Sequence, residues 1–172
     1  MNLEIGPGKK RLKGEWVTMG PEASGTVDVL GIWGKYPLPF ADESFDIIYA
    51  SHVIEHVWWY QVDSALAEVY RCLRKGGVFE VWTVDFANVV YGYVNKKCAD
   101  RYRRNNPNED YMKWVNGKLF AYEPPIYLAH HSCYDEPYLK KLLRKVGFNE
   151  LFKLERPRGE DHESNLGIGA KK

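Results

Sequence analysis

The chain has 172 residues, of which 45% are hydrophobic and 27% are charged, as in an ordinary globular protein. Its formal net charge of +1 excludes an overall electric field that would attract nucleic acid or an acidic membrane. Three widely spaced cysteines argue against a disulfide framework and against a zinc site, and no apolar run approaches the length that spans a bilayer. We therefore expect one cytoplasmic domain over residues 1–172.

The chain begins with a predicted strand and a glycine turn. Residues 3–8 read LEIGPG, an apolar run that contains Glu4 and ends in Gly6 and Gly8. Glycine adopts backbone angles that other residues avoid, and it lets a ligand approach the main chain closely. A Gly-x-Gly turn alone is weak evidence, because any tight strand-to-helix turn can use it. Its meaning depends on the elements that follow.

Apolar runs bounded by turn residues predict seven strands, over residues 3–5, 15–19, 26–30, 45–51, 78–84, 148–154 and 166–170. Helical spacing of apolar residues predicts one helix from Val62 to Leu73, with Asp63 as a candidate cap and Gly76 and Gly77 closing it. A second predicted helix is capped by Asp135 and closed by Gly147. A strand, a helix and a further strand in succession are typical of a parallel sheet. Residues 86–130 are irregular in pattern; we expect one or two irregular helices there, as a candidate lid or substrate-side insertion.

Four segments, in order, resemble class I S-adenosylmethionine-dependent methyltransferases of the small type. They are residues 3–8 (LEIGPG), 38–46 (LPFADESFD), 50–56 (ASHVIEH) and 68–77 (EVYRCLRKGG). Each motif is loose by itself, but four in register favour the assignment. The resemblance implies an α/β fold: a Rossmann-like seven-stranded sheet, mostly parallel, flanked by helices, with the last strand antiparallel. It also implies that S-adenosylmethionine lies across the carboxyl ends of the first strands.

The resemblance further implies which residues contact the cofactor, by their positions after the first four strands. These are Glu4, Gly6, Pro7 and Gly8 for the methionine and ribose portions, Gly20 and Glu22 after the second strand, Gly31, Ile32 and Trp33 at the adenine, and Ser51 and His52 near the sulfonium.

Two positions depart from the family. Its loop often carries a third glycine two residues after the second, and this chain has Lys10 there. The second strand of the family usually ends in an acidic residue that accepts hydrogen bonds from both ribose hydroxyls, and this chain has Gly20 there. Glu22 comes two residues late. Each charge-assisted hydrogen bond that is lost costs about 1.5–3 kcal/mol, so we expect weakened cofactor binding.

Methyl transfer from a sulfonium is an in-line displacement, so the protein mainly aligns the reacting groups. A base is needed only where the acceptor loses a proton, and His52 and His131 are the candidate catalytic bases. We expect O- or N-methylation of a small polar acceptor, and family analogy extends this to sugars and polysaccharide precursors. The spacing of His52, Glu55 and His56 resembles that of metal ligands on one helical face. The two histidines are four residues apart, but the sequence places no further ligand beside them, so no metal site is predicted.

Two other functions remain open. The first is a non-catalytic methyltransferase-fold binding protein with a degraded cofactor site, which Gly20 favours. The second is a nicotinamide-dependent dehydrogenase, disfavoured because its Gly-x-Gly-x-x-Gly pattern is incomplete. The basic residues at 9–13 are a phosphate or acidic-substrate patch or, more commonly for such runs, a solvated loop. Among Trp58, Trp59 and Tyr60, at least one ring is expected to face a cleft or a partner.

Overall fold

One seven-stranded sheet runs through the molecule, whose computed structural model describes residues 1–97, 110–121, 128–159 and 165–172. The strands are β1 (Asn2–Ile5), β2 (Trp16–Gly20), β3 (Val29–Leu30), β4 (Phe45–Ser51), β5 (Leu73–Val84), β6 (Glu150–Lys153) and β7 (Asn165–Lys171). Their order across the sheet is β3-β2-β1-β4-β5-β7-β6, and β7 runs antiparallel to both β5 and β6 while the other neighbours are parallel. The predicted sheet, mostly parallel with the last strand antiparallel, is confirmed.

In the described ranges, four helices accompany the sheet: α1 (Val62–Cys72), α2 (Phe86–Val94), α3 (Tyr111–Phe120) and α4 (Glu136–Val146). The apolar faces of α1 and α4 bury against one face of the sheet and form the main core with it. Asp135 caps α4 as predicted, since its carboxylate accepts a hydrogen bond of 2.8 Å from the Tyr138 amide. No helix in the described ranges is both long enough and apolar enough to cross a membrane.

The predicted boundaries of α1 need correction. The residue before the helix is Gln61, which makes no side-chain capping bond, and Asp63 lies inside the first turn. The helix ends at Cys72 and β5 begins at once at Leu73, because the chain turns directly from helical to extended backbone there. Gly76 and Gly77, predicted to close the helix, therefore lie within the strand.

Residues 86–97 and 110–121 contain α2 and α3, which pack on each other through Val89 and Trp114. Gly92 allows their close approach, since a Cβ atom there would lie 2.8 Å from the Trp114 ring. Irregular helices were predicted for this stretch. Its remaining residues, 98–109 and 122–127, lie outside the described part, so the lid or insertion stays a prediction.

Loops replace helices in the first crossovers of the sheet. Residues 6–15 connect β1 to β2, although parallel neighbours are usually joined through a helix. This loop passes over the sheet face opposite α1 and α4, which we call the outer face. There Leu12 packs against a small second cluster of Trp16, Tyr49 and Trp82. A loop covers less of the sheet than a helix would, and an open space remains above β1 and β4.

Candidate functional site

The strand order reverses between β1 and β4. From β1 the chain moves outward to β2 and β3, then returns to place β4 on the other side of β1. In open α/β sheets, ligands bind outside the carboxyl ends of the strands at such a reversal. A cavity of about 910 Å³ lies here, lined by the turn after β1 and by Ser51 and His52 at the end of β4.

The turn after β1 requires glycine at two positions. Gly6 and Gly8 have φ values of +71° and +58°, in the left-handed region that side chains disfavour. A Cβ atom on Gly6 would also lie 2.5 Å from Val53 Cγ2, so the turn packs tightly against the segment that follows β4. The Gly6 amide donates to the Met19 carbonyl at 2.8 Å, which ties the turn to β2.

Glu4 supports the loop above the cavity. Its side chain is buried, and Oε2 accepts a hydrogen bond of 2.9 Å from the Leu12 amide. Burial raises the pKa of this carboxyl group, although the Leu12 amide and the charge of Arg11 act in the opposite direction. The carboxyl group thus holds the loop close to the outer face.

The structure brings only part of the predicted cofactor site together. Glu4, Gly6, Pro7, Gly8, Ser51 and His52 line the cavity, whereas Gly20, Glu22, Gly31, Ile32 and Trp33 are not among its lining residues.

Packing accounts for the identity of several of the predicted cofactor residues that do not line the cavity. A Cβ atom on Gly20 would lie 2.8 Å from Val27 Cγ2, and one on Gly31 would lie 2.7 Å from Met19 Sδ. Neighbouring side chains therefore occupy the space that an acidic residue at position 20 would need. Trp33 is buried in the main core, where its Nε1 donates to the Ala65 carbonyl at 2.9 Å.

His52 is held at both ring nitrogens. Nδ1 lies 2.9 Å from Glu55 Oε1, and Nε2 lies 3.0 Å from Asn165 Oδ1. A protonated ring donates to both oxygens, whereas a neutral ring donates from Nδ1 and needs the Asn165 amide turned so that its NH₂ group faces Nε2. The backbone of His52 has φ +55°, and its amide donates to the Trp82 carbonyl at 2.9 Å.

Glu55, which follows the strand end within a short 3-10 turn (Ile54–His56), is the polar centre of this region. Its side chain is 1% exposed, and Oε2 accepts a hydrogen bond of 3.1 Å from Thr83 Oγ1. Burial opposes ionisation most strongly, but the hydrogen bond and charge of His52 outweigh it and lower the pKa. The Glu55 carbonyl also accepts from the His131 amide at 2.7 Å. Glu55 therefore positions both predicted catalytic histidines.

Sequence reasoning considered Glu55 only as part of a metal-ligand spacing. Within the described ranges, no group of three or more His, Cys, Asp or Glu side chains could hold a metal ion. The sequence does carry a local signal for its role in positioning the histidines, because Glu55 is an acidic residue close to the apolar residues Ile54 and Val57. Both of these are buried.

His131 lies beside this centre but does not line the cavity. Its ring stacks on Trp58 with centroids 3.8 Å apart and an interplanar angle of 9°. Burial and the nearby His56 lower the pKa of His131, which favours its neutral, proton-accepting form. Trp58, Trp59 and Tyr60 are all exposed, and the expectation that one of their rings faces a cleft or a partner stays a prediction.

A family model described as a methyltransferase domain matches residues 34–81, which include β4 and α1. Over 99% of this chain, the fold is similar to that of a methyltransferase from Thermotoga maritima. That protein is described as S-adenosylmethionine-dependent and as a possible histamine N-methyltransferase; it is 22% identical, with a TM-score of 0.56 over 81% of its own length. The chain has the class I methyltransferase fold. No curated protein sequence matches it.

Two further structures share the methyltransferase fold. A S-adenosylmethionine-dependent methyltransferase from Archaeoglobus fulgidus is 13% identical, with a TM-score of 0.62 over 99% of this chain and 85% of its own. The 1,6-didemethyltoxoflavin-N1-methyltransferase of Burkholderia thailandensis is also 13% identical, with a TM-score of 0.58 over 99% of this chain and 70% of its own. The latter was solved with its substrate and S-adenosylhomocysteine bound. The predicted resemblance is confirmed at the level of the fold.

The matched segment is held together by Arg71 on α1. Its guanidinium donates to the carbonyls of Phe40 at 2.9 Å and Leu38 at 3.1 Å, and to Glu68 Oε2 at 2.8 Å. Glu68, followed by Asp42, raises the pKa of Arg71, so the group stays charged. Two motifs that are separate in the sequence, residues 38–46 and 68–77, are thus joined by hydrogen bonds in the structure.

Proposed function

We propose that this chain binds S-adenosylmethionine at the reversal between β1 and β4 and transfers its methyl group to a small polar acceptor, by O- or N-methylation. One observation carries the proposal: the Glu-x-Gly-x-Gly turn and Ser51-His52 line one cavity at that point of a methyltransferase fold. Its volume of about 910 Å³ is near the upper end of the roughly 300–1,000 Å³ range of ligand sites, enough for a cofactor beside a small acceptor.

The residues of the turn fit the cofactor in part. A Cβ atom on Gly8 would meet nothing within 4 Å, so a ligand has access to the main chain there. Gly6, Gly8 and Ser51 would hold the cofactor, which supplies a methyl group on a good leaving group. The chain itself contributes alignment of the acceptor with that methyl group and the removal of a proton where the acceptor carries one.

We propose His52 as the base, with His131 as the second candidate. Glu55 accepts a hydrogen bond from His52 Nδ1, and this arrangement leaves Nε2 to take a proton once the acceptor displaces Asn165. His131 would act in its neutral form beside the aromatic side chains that follow β4.

Replacement of each histidine by alanine tests these roles. A lost general base lowers kcat by about 10²–10⁴-fold, whereas S-adenosylhomocysteine should still bind to both variants. His130→Ala is the matched control, because His130 bonds to the Lys118 carbonyl away from the cavity. Unchanged turnover in both His52→Ala and His131→Ala would refute the assignment.

Calorimetry tests cofactor binding directly. Titration with S-adenosylmethionine and S-adenosylhomocysteine should give micromolar dissociation constants, and NAD should not bind. Failure of both sulfur compounds to bind at millimolar concentration would reject the enzyme.

One observation favours the second candidate, a non-catalytic binding protein with a degraded cofactor site. Gly20 stands where the family has its ribose-binding acid, and the space beside it is occupied by Val27. This candidate predicts that neither S-adenosylmethionine nor its product binds, although the fold is intact. A cytoplasmic location and a small-molecule partner remain predictions under either function.

A further inference from the structure

Basic side chains surround the cavity from two directions. Lys9, Lys10, Arg11 and Lys13 line it from the loop after β1, and Arg158 lines it from the segment that follows β6. We propose that the methyl acceptor is a small anionic molecule, carrying a phosphate or a carboxylate, whose negative group is bound by these side chains. This inference rests on the proposed function and deepens it by naming the class of the acceptor.

Two of the five basic groups already have anionic partners. The Arg11 guanidinium donates to both carboxylate oxygens of Asp28, at 3.1 and 2.8 Å. Arg158 donates to both oxygens of Glu80, at 2.6 and 2.5 Å. These pairs neutralise the two arginines in place, and they fix the two sides of the cavity to the sheet.

The three lysines differ, since Lys9, Lys10 and Lys13 form no ion pair with any described residue. Among the described residues that line the cavity, the one carboxyl group belongs to Glu4, and burial there opposes ionisation and raises its pKa. The described part of the lining is therefore positive, although the chain as a whole carries a formal net charge of only +1. A concave surface lined by one sign of charge concentrates ligands of the opposite sign.

The loop that carries the lysines is anchored. Arg11 Nη2 donates to the Trp16 carbonyl at 2.6 Å, and the Leu12 amide donates to Glu4 Oε2 at 2.9 Å. The Lys10 amide donates back to the Pro7 carbonyl at 3.3 Å. These bonds keep the lysine backbone at the cavity rather than in open solvent, so binding an anion requires little further ordering of the loop.

A second, independent observation points to a ligand. Tyr49 lines the cavity and is only 2% exposed, yet its hydroxyl group has no hydrogen-bond partner among the described residues. Buried hydroxyl groups are almost always hydrogen-bonded, because an unmet one costs free energy. The Trp16 ring packs edge-on against the Tyr49 ring, with the ring centroids 6.3 Å apart. An acceptor with an apolar body and an anionic group would meet the ring, the hydroxyl and the lysines together.

A small molecule suits the site better than a nucleic acid. The basic side chains line a concave space together with the buried residues Glu4 and Tyr49. A nucleic-acid surface usually has an excess of basic residues that extends along a whole face, and the formal net charge of +1 leaves little such excess elsewhere.

The test uses the full chain saturated with S-adenosylhomocysteine, titrated with glucose 6-phosphate, glucuronate and glucose at physiological salt. At least one of the two anions should bind ten-fold or more tightly than glucose. Lys10→Ala combined with Lys13→Ala should weaken anion binding ten-fold or more, and Tyr49→Phe should weaken it several-fold. Lys75→Ala, an exposed lysine outside the cavity, is the control and should have no effect.

Three results would overturn the inference: glucose bound as tightly as both anions, anion affinity unchanged in the double lysine variant, or a single-stranded RNA oligomer bound in preference to the small anions. Failure of the proposed function is distinguishable, because it appears as absent S-adenosylhomocysteine binding in the unmodified chain. The anion titrations still test the cavity in that case, and they are then run without the cofactor product.

Discussion

Replacement of Glu55 by alanine removes the polar centre that links β4, β5 and the histidines. The Glu55 carboxylate accepts hydrogen bonds from His52 Nδ1 at 2.9 Å and from Thr83 Oγ1 at 3.1 Å. Without it, the Thr83 hydroxyl group is buried and unsatisfied. Breaking a buried charged pair in this way costs about 3–5 kcal/mol, which for a domain of this size lowers Tm by about 6–20 °C. We expect a folded variant of much lower stability, since domains have about 5–15 kcal/mol in total.

Urea unfolding at pH 7, followed by circular dichroism, measures this loss. The matched control is Glu150→Ala, because Glu150 forms an exposed ion pair with Lys171 at 3.5 Å, and such pairs contribute no more than about 1 kcal/mol. A loss below about 1 kcal/mol for Glu55→Ala, similar to the control, would refute the view that the buried carboxylate organises this region.

Glu55→Gln separates the charge from the shape of the side chain. Because the folded-state pKa of Glu55 lies below its ordinary value of 4.5, the unfolded state binds more protons in that range, and the ionised carboxylate stabilises the fold above it. This contribution is lost as the pH falls through the folded-state pKa. The stability difference between the unmodified chain and Glu55→Gln should therefore shrink on acidification from pH 6 to pH 3. An equal difference at both pH values would contradict the predicted shift.

The remaining predictions concern the turn after β1, Arg71 on α1 and the ring of His131. Gly6→Ala should destabilise the fold more than Gly8→Ala, since both have positive φ but only the first places a Cβ atom 2.5 Å from Val53; equal losses in thermal unfolding would argue against the close packing. Arg71→Lys should cost about 1.5–3 kcal/mol by urea unfolding, because an ammonium group cannot reach two carbonyls and Glu68 together, and a neutral effect would refute that role. The His131 ring should titrate by NMR below its ordinary pKa of 6.5, and a higher value would contradict its burial.

The sequence predicted elements well where burial alone decides the structure. The strand predicted over residues 45–51 agrees with β4 at both ends, because it is a mostly apolar run in which four of the seven residues are buried. The strand predicted over residues 26–30 was too long, since β3 contains only Val29 and Leu30. Asp28 explains the difference. Its carboxylate accepts a hydrogen bond of 3.0 Å from the Thr18 amide. A longer β3 would need that amide for pairing with β2.

The site was only partly predictable for a similar reason. Motifs along the chain identify a turn and a strand end, and the strand order then brings them together at the cavity. The contact of His52 with Asn165 joins residues 113 positions apart, so no local sequence pattern could predict it. Trp33 follows the third predicted strand, where the resemblance expects a contact with adenine, yet its side chain lies in the core. Its Nε1 donates to the Ala65 carbonyl of α1, and this packing is not visible in the sequence.

The central claim is that the cofactor binds at the reversal between β1 and β4, and amide NMR spectra recorded during titration with S-adenosylhomocysteine test it most directly. The resonances of Gly6, Gly8 and Ser51 should shift in proportion to saturation. The resonances of Gly76 and Gly147, which do not line the cavity, should stay in place. Shifts confined to Gly76 and Gly147, or no shift at millimolar ligand, would contradict it.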